Sequence, residues 1–427
     1  MMNEKDQLSV GRFQSILRIK TVSGKEEYRG EFERFLSVLR ELYPTVFKAV
    51  ETETVGDFGI LIRWPGKDPG KKPVVLMAHQ DVVDCDEEKW THPPFAAEIH
   101  DGEVWARGSV DTKCIISALM ESAEELLADG FSPERDIYFV FGADEEVFGG
   151  TMPKIVETLR QRKVSPWFVL DEGGAVLSEL PMGITESFAM VAVAEKAYGS
   201  LRLKFYNGAG ENAAQRISTA VRKIEKAPLS SAFDAVVREM LRRLGPYAKP
   251  MLRPVLKNIG LFAPAVKKVM EGNSDTQPMI RSTIAPDKVG AWPEENAAWA
   301  SFRLRLNPWD SFENVESHVS QLLDADAEIS IEVKSGGAPQ SPWDTEAFRY
   351  IEKTVAEVFD AHTSPFILDG GTDARHFAPI CREIYRLGAF RMSTAMRRSV
   401  HHEDERMPVP NYLEGIRFYK RFIENLG

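Results

Sequence analysis

Histidines and carboxylates recur in this sequence at the ends of apolar runs, where side chains from different segments can meet. The first run is Val74-Val-Leu-Met-Ala-His79-Gln-Asp81. In an extended segment residues i and i+2 share a face, so His79 and Asp81 can point into one crevice. A neutral imidazole is a good zinc ligand, and a carboxylate behind it fixes its tautomer and raises its basicity. Asp111 follows the short run Glu103-Val-Trp-Ala-Arg-Gly-Ser-Val, just before Thr112. Glu145 and Glu146 follow Asp136-Ile-Tyr-Phe-Val-Phe-Gly-Ala-Asp144, and Asp171 and Glu172 follow Trp167-Phe-Val-Leu. Taken singly these are weak signals: Glu145-Glu146 reads as a solvated pair and Asp111 as a helix cap. Together they would gather several negative charges in one crevice. Without cations that is costly and shifts pKa values until some groups are neutral. A bound pair of divalent metal ions is the usual remedy.

The elements that must position these groups are strands and helices in alternation. Three apolar runs, at 74–79, 136–142 and 167–171, read as buried strands of a largely parallel sheet. In such sheets ligands bind at the carboxyl ends of the strands. Residues 5–44 pattern as two helices, the second closed by Pro44, and 59–64 as a strand. Thr112 begins an amphipathic helix carrying Ile115, Ile116, Leu119, Met120, Ala123 and Leu126, stopped by Gly130. Gly149-Gly150 opens another.

The texture changes near residue 185. Phe188–Ala194 and Ser200–Tyr206 alternate like antiparallel strands with one solvated face. Helical patterns follow at 213–226 and 229–244, and further strands at 298–306 and 329–333. Chemistry-bearing residues resume at 369–376 and 401–402, so this α+β unit is inserted rather than appended. The expected division is a catalytic domain over 1–186 and 337–427, interrupted by an inserted domain over 187–336. A final amphipathic helix is expected at 411–426.

Length and composition set bounds on function. Two domains are the natural expectation for 427 residues. Sixty-four acidic against 53 basic residues give a net charge of −11. That balance argues against nucleic acid, whose phosphates need a basic face, and weakly against an anionic membrane surface. The start of the chain has no apolar core and no run approaches the ~20 residues that span a bilayer. Cys85, Cys114 and Cys381 give no disulfide framework and no CxxC site, and read as buried apolar residues. A cytoplasmic protein is the simplest expectation.

The ordered set comprises H-x-D at 79–81, GSVDTK at 108–113, ADEEVFGG at 143–150, LDEGG at 170–174, GGTDAR at 370–375 and HHEDER at 401–406. It resembles the aminoacylase and carboxypeptidase family of two-zinc amidohydrolases, metallopeptidase family 20, over nearly the whole chain. The resemblance implies an α/β fold of zinc-exopeptidase type, with a mostly parallel sheet and an inserted α+β domain serving as lid and dimerisation unit. It implies two zinc ions, with cobalt or manganese as substitutes. His79 would bind one zinc, with Asp81 orienting it, and Asp111 would bridge both. Glu146 and His401 would bind the second. Glu172 would complete the first, with Asp171 as the alternative. Glu145 would be the general base and acid, and Arg375 would grip the substrate's free carboxylate.

The implied activity is metal-dependent hydrolysis of an amide bond in a dipeptide, short peptide or N-acyl amino acid by a metal-activated water, in a homodimer paired through the inserted domain. One departure stands out. The family's inserted domain commonly carries a GGHSS-type loop whose histidine stabilises the oxyanion. Here the corresponding stretch is Asn207–Ala214, and no histidine lies between His100 and His318. Either another donor serves, such as Asn212 or Asn296, or turnover is slower, or the substrate differs. Losing one oxyanion donor typically costs about 10²–10³ in rate. The departure keeps two alternatives open: hydrolysis of a non-peptide amide, or a binding or regulatory role on the same scaffold.

Overall fold

The computed structural model describes residues 2–208, 210–273 and 276–426. Its centre is a ten-stranded sheet. The order runs Glu51–Val55, Gly59–Trp64, Ile137–Gly142, Val74–His79, Phe168–Asp171, Ile384–Arg386, Phe188–Glu195, Ala175–Leu177 and Arg391–Met392. His362–Leu368 pairs beside Phe188–Glu195. Val74–His79 is parallel to both its neighbours, Ile137–Gly142 and Phe168–Asp171.

The period-2 geometry of a strand explains why Val74–His79 is apolar at nearly every position. Val74, Leu76 and Ala78 pack into the core that contains Cys114, Ile115 and Leu119 of the helix Lys113–Ala128. Val75 and Met77 face the opposite core, with Met152, Ile155 and Leu159 of the helix Thr151–Gln161. The first core is closed by Val409–Glu424, whose Tyr412 stacks on Phe13 at 4.3 Å. Both faces of the sheet are therefore dry at its central strands, and polar residues there are left to the strand ends.

A second, four-stranded sheet has the order Thr283–Trp292, Ala297–Leu306, Ala197–Tyr206, Glu328–Ser335. Leu201, Leu203 and Phe205 point to one face, which Ile217 and Ile224 of the helix Ala213–Lys226 cover, with Val315 and Val319 of Phe312–Leu322. Between the helix Ala213–Lys226 and the strand Thr283–Trp292 lie three more helices: Ala235–Leu244, Arg253–Lys257 and Ile259–Glu271. They build a separate core with Phe188 and Met190.

Three local expectations change. Pro44 does not simply close a helix; it is the first residue of a short one, Pro44–Ala49, where its missing N–H costs nothing. Phe188–Glu195 has no solvated face: it is buried throughout and belongs to the large sheet, antiparallel to Ala175–Leu177 and parallel to His362–Leu368. Cys85 is half-buried, while Cys114 and Cys381 are buried.

The turn after Phe168–Asp171 depends on its glycines. Gly173 sits at φ +105°, and a Cβ on Gly174 would lie 2.1 Å from the Met190 carbonyl oxygen and 2.5 Å from that of Arg386. Both contacts are with backbone that cannot rotate away. Gly174→Ala is expected to cost about 1–3 kcal/mol, read as a lower urea midpoint with unchanged slope. An unchanged midpoint would show that the two strands part easily here.

Candidate metal and catalytic site

Three strand ends and two loops bring the acidic and imidazole groups together. His79 ends its strand with Nε2 3.1 Å from Asp111 Oδ1 and 4.0 Å from Glu172 Oε1. His401 approaches from the far end of the chain, its Nε2 2.9 Å from Asp111 Oδ2 and 3.0 Å from Glu146 Oε2. Asp111 thus turns one oxygen to each histidine. The donor atoms of His79, Glu145 and Glu172 lie within 4.8 Å of one another, as do those of His79, Asp111 and Glu146.

Asp81 stands behind this cluster and is fully buried. Its Oδ1 is 3.4 Å from His79 Nδ1, and it accepts the backbone N–H groups of Glu145 (3.3 Å) and Glu146 (3.1 Å). Asp81 therefore holds both parts: its backbone carbonyl oxygen lies 2.9 Å from His79 Nδ1, and its carboxylate fixes the turn that carries both glutamates. Asp171 faces elsewhere: its Oδ2 accepts the Ala374 N–H at 3.0 Å, leaving Glu172 as the LDEG carboxylate near His79. Arg375 is buried, donates to the Thr372 carbonyl at 2.5 Å and lies over the Phe148 ring at 5.5 Å. Asn296 is not brought to the cluster within one chain. It occupies a left-handed turn of the four-stranded sheet and pairs with Asn207. Asn212 caps the helix Ala213–Lys226, and Ala209 of the same loop lies outside the described residues. Trp90 lies over Arg107, and His92 stacks on His100.

Glu405 was not singled out by the sequence pattern, yet it holds the Asp111 loop. It is fully buried and accepts from Arg107 Nη1 (2.7 Å), Gly108 N (3.0 Å), Val110 N (2.7 Å) and Asp111 N (3.0 Å). Its signal was its place within HHEDER. Asp373 was also passed over. Burial pushes its carboxyl up to about 8, and its Oδ2 has no hydrogen-bond partner among the described residues.

The electrostatics fit cations. Burial pushes Glu145 well above the usual carboxylate range, and burial with the neighbouring Asp111 does the same to Glu172. Burial opposes charging of His79, but hydrogen bonds to Asp111 and Asp81 outweigh it and hold the imidazole well above its usual value. Hydrogen bonds to Asp111 and Glu146 push His401 up to about 11. The cluster thus draws protons onto its histidines, so that positive charge sits between the carboxylates. Imidazole and carboxylate donors in this mixture suit zinc and similar divalent ions.

A pH dependence follows. Glu145, Glu172 and His401 all have raised values in the folded chain. The stability they contribute is present at low pH and is lost as pH rises through those values. Metal binding needs Glu172 and His401 of this group deprotonated. The rise in melting temperature on adding zinc to chelator-treated protein should therefore be larger at about pH 8 than at about pH 6. Equal rises at both would mean that these groups are not the ligands.

A large cavity, about 840 Å³, adjoins the cluster. Its lining includes Asp111 and Glu172 and continues past Met190 and Phe390 to Leu241, Leu256 and Val266 of the three added helices. Apart from a few polar groups the wall is apolar, and the volume lies high in the range of ligand pockets.

Comparison with known proteins agrees with this picture. The profile of peptidase family M20/M25/M40 matches residues 75–425. The chain is 30% identical to a probable carboxypeptidase S-like 2 of Dictyostelium discoideum, over 94% of this chain and 80% of that protein. It is also 30% identical to the mouse N-fatty-acyl-amino acid synthase/hydrolase PM20D1, over 96% of this chain and 86% of that protein. Among solved structures, the M20 family metallo-carboxypeptidase Sso-CP2 of Sulfolobus solfataricus superposes with a TM-score of 0.68 at 16% identity, covering 100% of this chain and 99% of that one. Human carnosine dipeptidase 1 gives 0.69 at 14%, covering 99% and 96%. At such identities the structural matches speak for the fold, whereas the profile spans nearly all of the sequence. The chain belongs to peptidase family M20/M25/M40, and it is a metal-dependent hydrolase of the metallopeptidase and amidohydrolase kind.

Proposed function

We propose that this enzyme hydrolyses the amide bond of N-acyl amino acids whose acyl group is a long apolar chain. The observation that carries the reading is the apolar cavity that adjoins Asp111 and Glu172. A dipeptide or an acetyl group would leave most of that surface wet, while each methylene buried there contributes about 0.8 kcal/mol. The relative named as an N-fatty-acyl-amino acid synthase/hydrolase supports the same substrate class.

In this reading His79, Asp111 and Glu172 would hold one zinc ion, and His401, Asp111 and Glu146 a second. When bound, such ions lower the pKa of water and polarise the amide carbonyl. The remaining work falls to the chain. Asp81 keeps the His79 ring and the Glu145-Glu146 turn in register. Glu145, buried and readily protonated, takes the proton of the attacking water and delivers it to the amine nitrogen as the bond to the acyl carbon breaks. Arg375 offers a planar fork to the amino acid's carboxylate. The cavity takes the acyl chain. Pairing of two chains through the four-stranded-sheet unit, with Asn296 reaching a partner's substrate, belongs to the same proposal.

The test is reconstitution. Protein stripped by chelator should not cleave N-dodecanoyl amino acids. Adding zinc or cobalt should restore release of free amino acid and saturate at two ions per chain. Saturation with no cleavage of N-dodecanoyl amino acids would reject the long-acyl assignment. Cleavage of dipeptides in preference would reject the acyl assignment.

A further inference from the structure

The three added helices carry a surface that the hydrolytic chemistry leaves unexplained. A helix that is apolar on all sides belongs in a protein interior. Ile259–Glu271 is apolar on both sides. Ile259, Ala263 and Met270 pack inward, yet Leu261 is 78% and Val269 73% exposed, with Phe262 beside them. In the preceding turn Met251 is 88% exposed. Contiguous exposed apolar residues of this kind mark a binding surface.

Two further observations say what covers it. The first is charge. Residues 240–270 contain no Asp or Glu but seven cations in a chain whose net charge is −11. Arg242 and Arg243 pair with Glu239, and Arg243 also with Glu352, which leaves Lys249, Arg253, Lys257, Lys267 and Lys268 outside those ion pairs. The whole-chain balance therefore hides a local basic face. A second copy of the chain would bring like charges together across a two-fold contact. An anionic lipid surface would complement both the cations and the apolar side chains. The second is continuity. Leu252, Ala265 and Val269 are exposed and also line the cavity, so the cavity opens on this same face.

We propose that residues 249–271 dock on an anionic lipid surface, with the cavity mouth against it, so that acyl substrates enter from the lipid phase. The proposal rests on the long-chain reading for the identity of what enters. The docking itself is measured without substrate.

The full chain would be floated with vesicles of phosphatidylcholine containing phosphatidylglycerol, and with phosphatidylcholine alone. Wild-type protein should float with the anionic vesicles, less so as salt rises. The double variant Met251→Asp/Leu261→Asp should lower partitioning at least roughly tenfold. Lys267→Glu/Lys268→Glu should lower it about fivefold or more. None of these four residues lines the cavity or the metal site, so cleavage of soluble N-acetyl amino acid without vesicles should be unchanged, which certifies folding. Wild-type protein that stays in solution would overturn the proposal. So would variants that float equally well, or a wild-type dimer that these substitutions make monomeric. Floating protein that cleaves no long-chain substrate would leave docking standing and reject the substrate reading alone.

Discussion

Glu145→Gln is expected to lower kcat by about 10²–10⁴-fold while leaving metal content and KM close to wild type. Glutamine keeps the shape of the side chain and the backbone N–H that donates to Asp81 at 3.3 Å, so the turn should survive. What it removes, in the proposed reading, is the proton carrier. Glu145 suits that role because burial raises its affinity for a proton, which lets it hold the water's proton until the leaving nitrogen needs it. Asp111→Ala makes the contrast. Asp111 faces both His79 and His401, so its loss should empty both ion positions and remove activity together with bound metal. A fall of less than tenfold in Glu145→Gln, at unchanged metal content, would assign the proton transfer to another group.

Filling the cavity should change substrate choice rather than chemistry. Val266→Trp places a large ring in the wall formed by Ile259–Glu271. If it excludes four methylenes, the lost contribution is about 3 kcal/mol, or roughly 200-fold in kcat/KM for an N-dodecanoyl substrate. N-acetyl amino acid, which needs none of that volume, should change less than about threefold. Equal losses for both substrates would mean that the ring disturbs the reacting centre and that the cavity is not the acyl site.

Much of the site was legible in the sequence because strand ends obey simple rules. A run such as Val74–Ala78 can be apolar at every position only if both faces are covered, and the polar residues that follow must then lie at the sheet's edge. The same rule places Glu145 and Glu172. Which LDEG carboxylate lies near His79 was not legible, because adjacent residues at a strand end can turn either way. The Ala374 N–H occupies Asp171, and only the fold brings that group near. Glu405 stayed hidden for a similar reason, since its partners lie roughly three hundred residues earlier in the chain.

The elements that were missed or misplaced have physical causes too. Phe188–Glu195 is a strand as expected, but it is rich in alanine, which reads as either face, and its partner His362–Leu368 is remote in sequence, so its place in the large sheet was not legible. Thr283–Trp292 contains Pro286 and Gly290, which weaken a strand pattern, and the structure accommodates them with a register shift at Pro286. The helices after residue 250 are broken by Pro254, Gly260 and Pro264, so no long apolar period develops. The acid-free run over 240–270 was the available signal, and whole-chain composition averages it away.

The central claim is that the cavity and the metal cluster act as one site. The most direct measurement is kcat/KM of the zinc-loaded enzyme across N-acyl derivatives of one amino acid, from acetyl to hexadecanoyl, below their aggregation limits. A rise of about threefold to fourfold per methylene over the middle of the series, then a plateau as the cavity fills, is the expected result. A series that is flat or falls with chain length would contradict it.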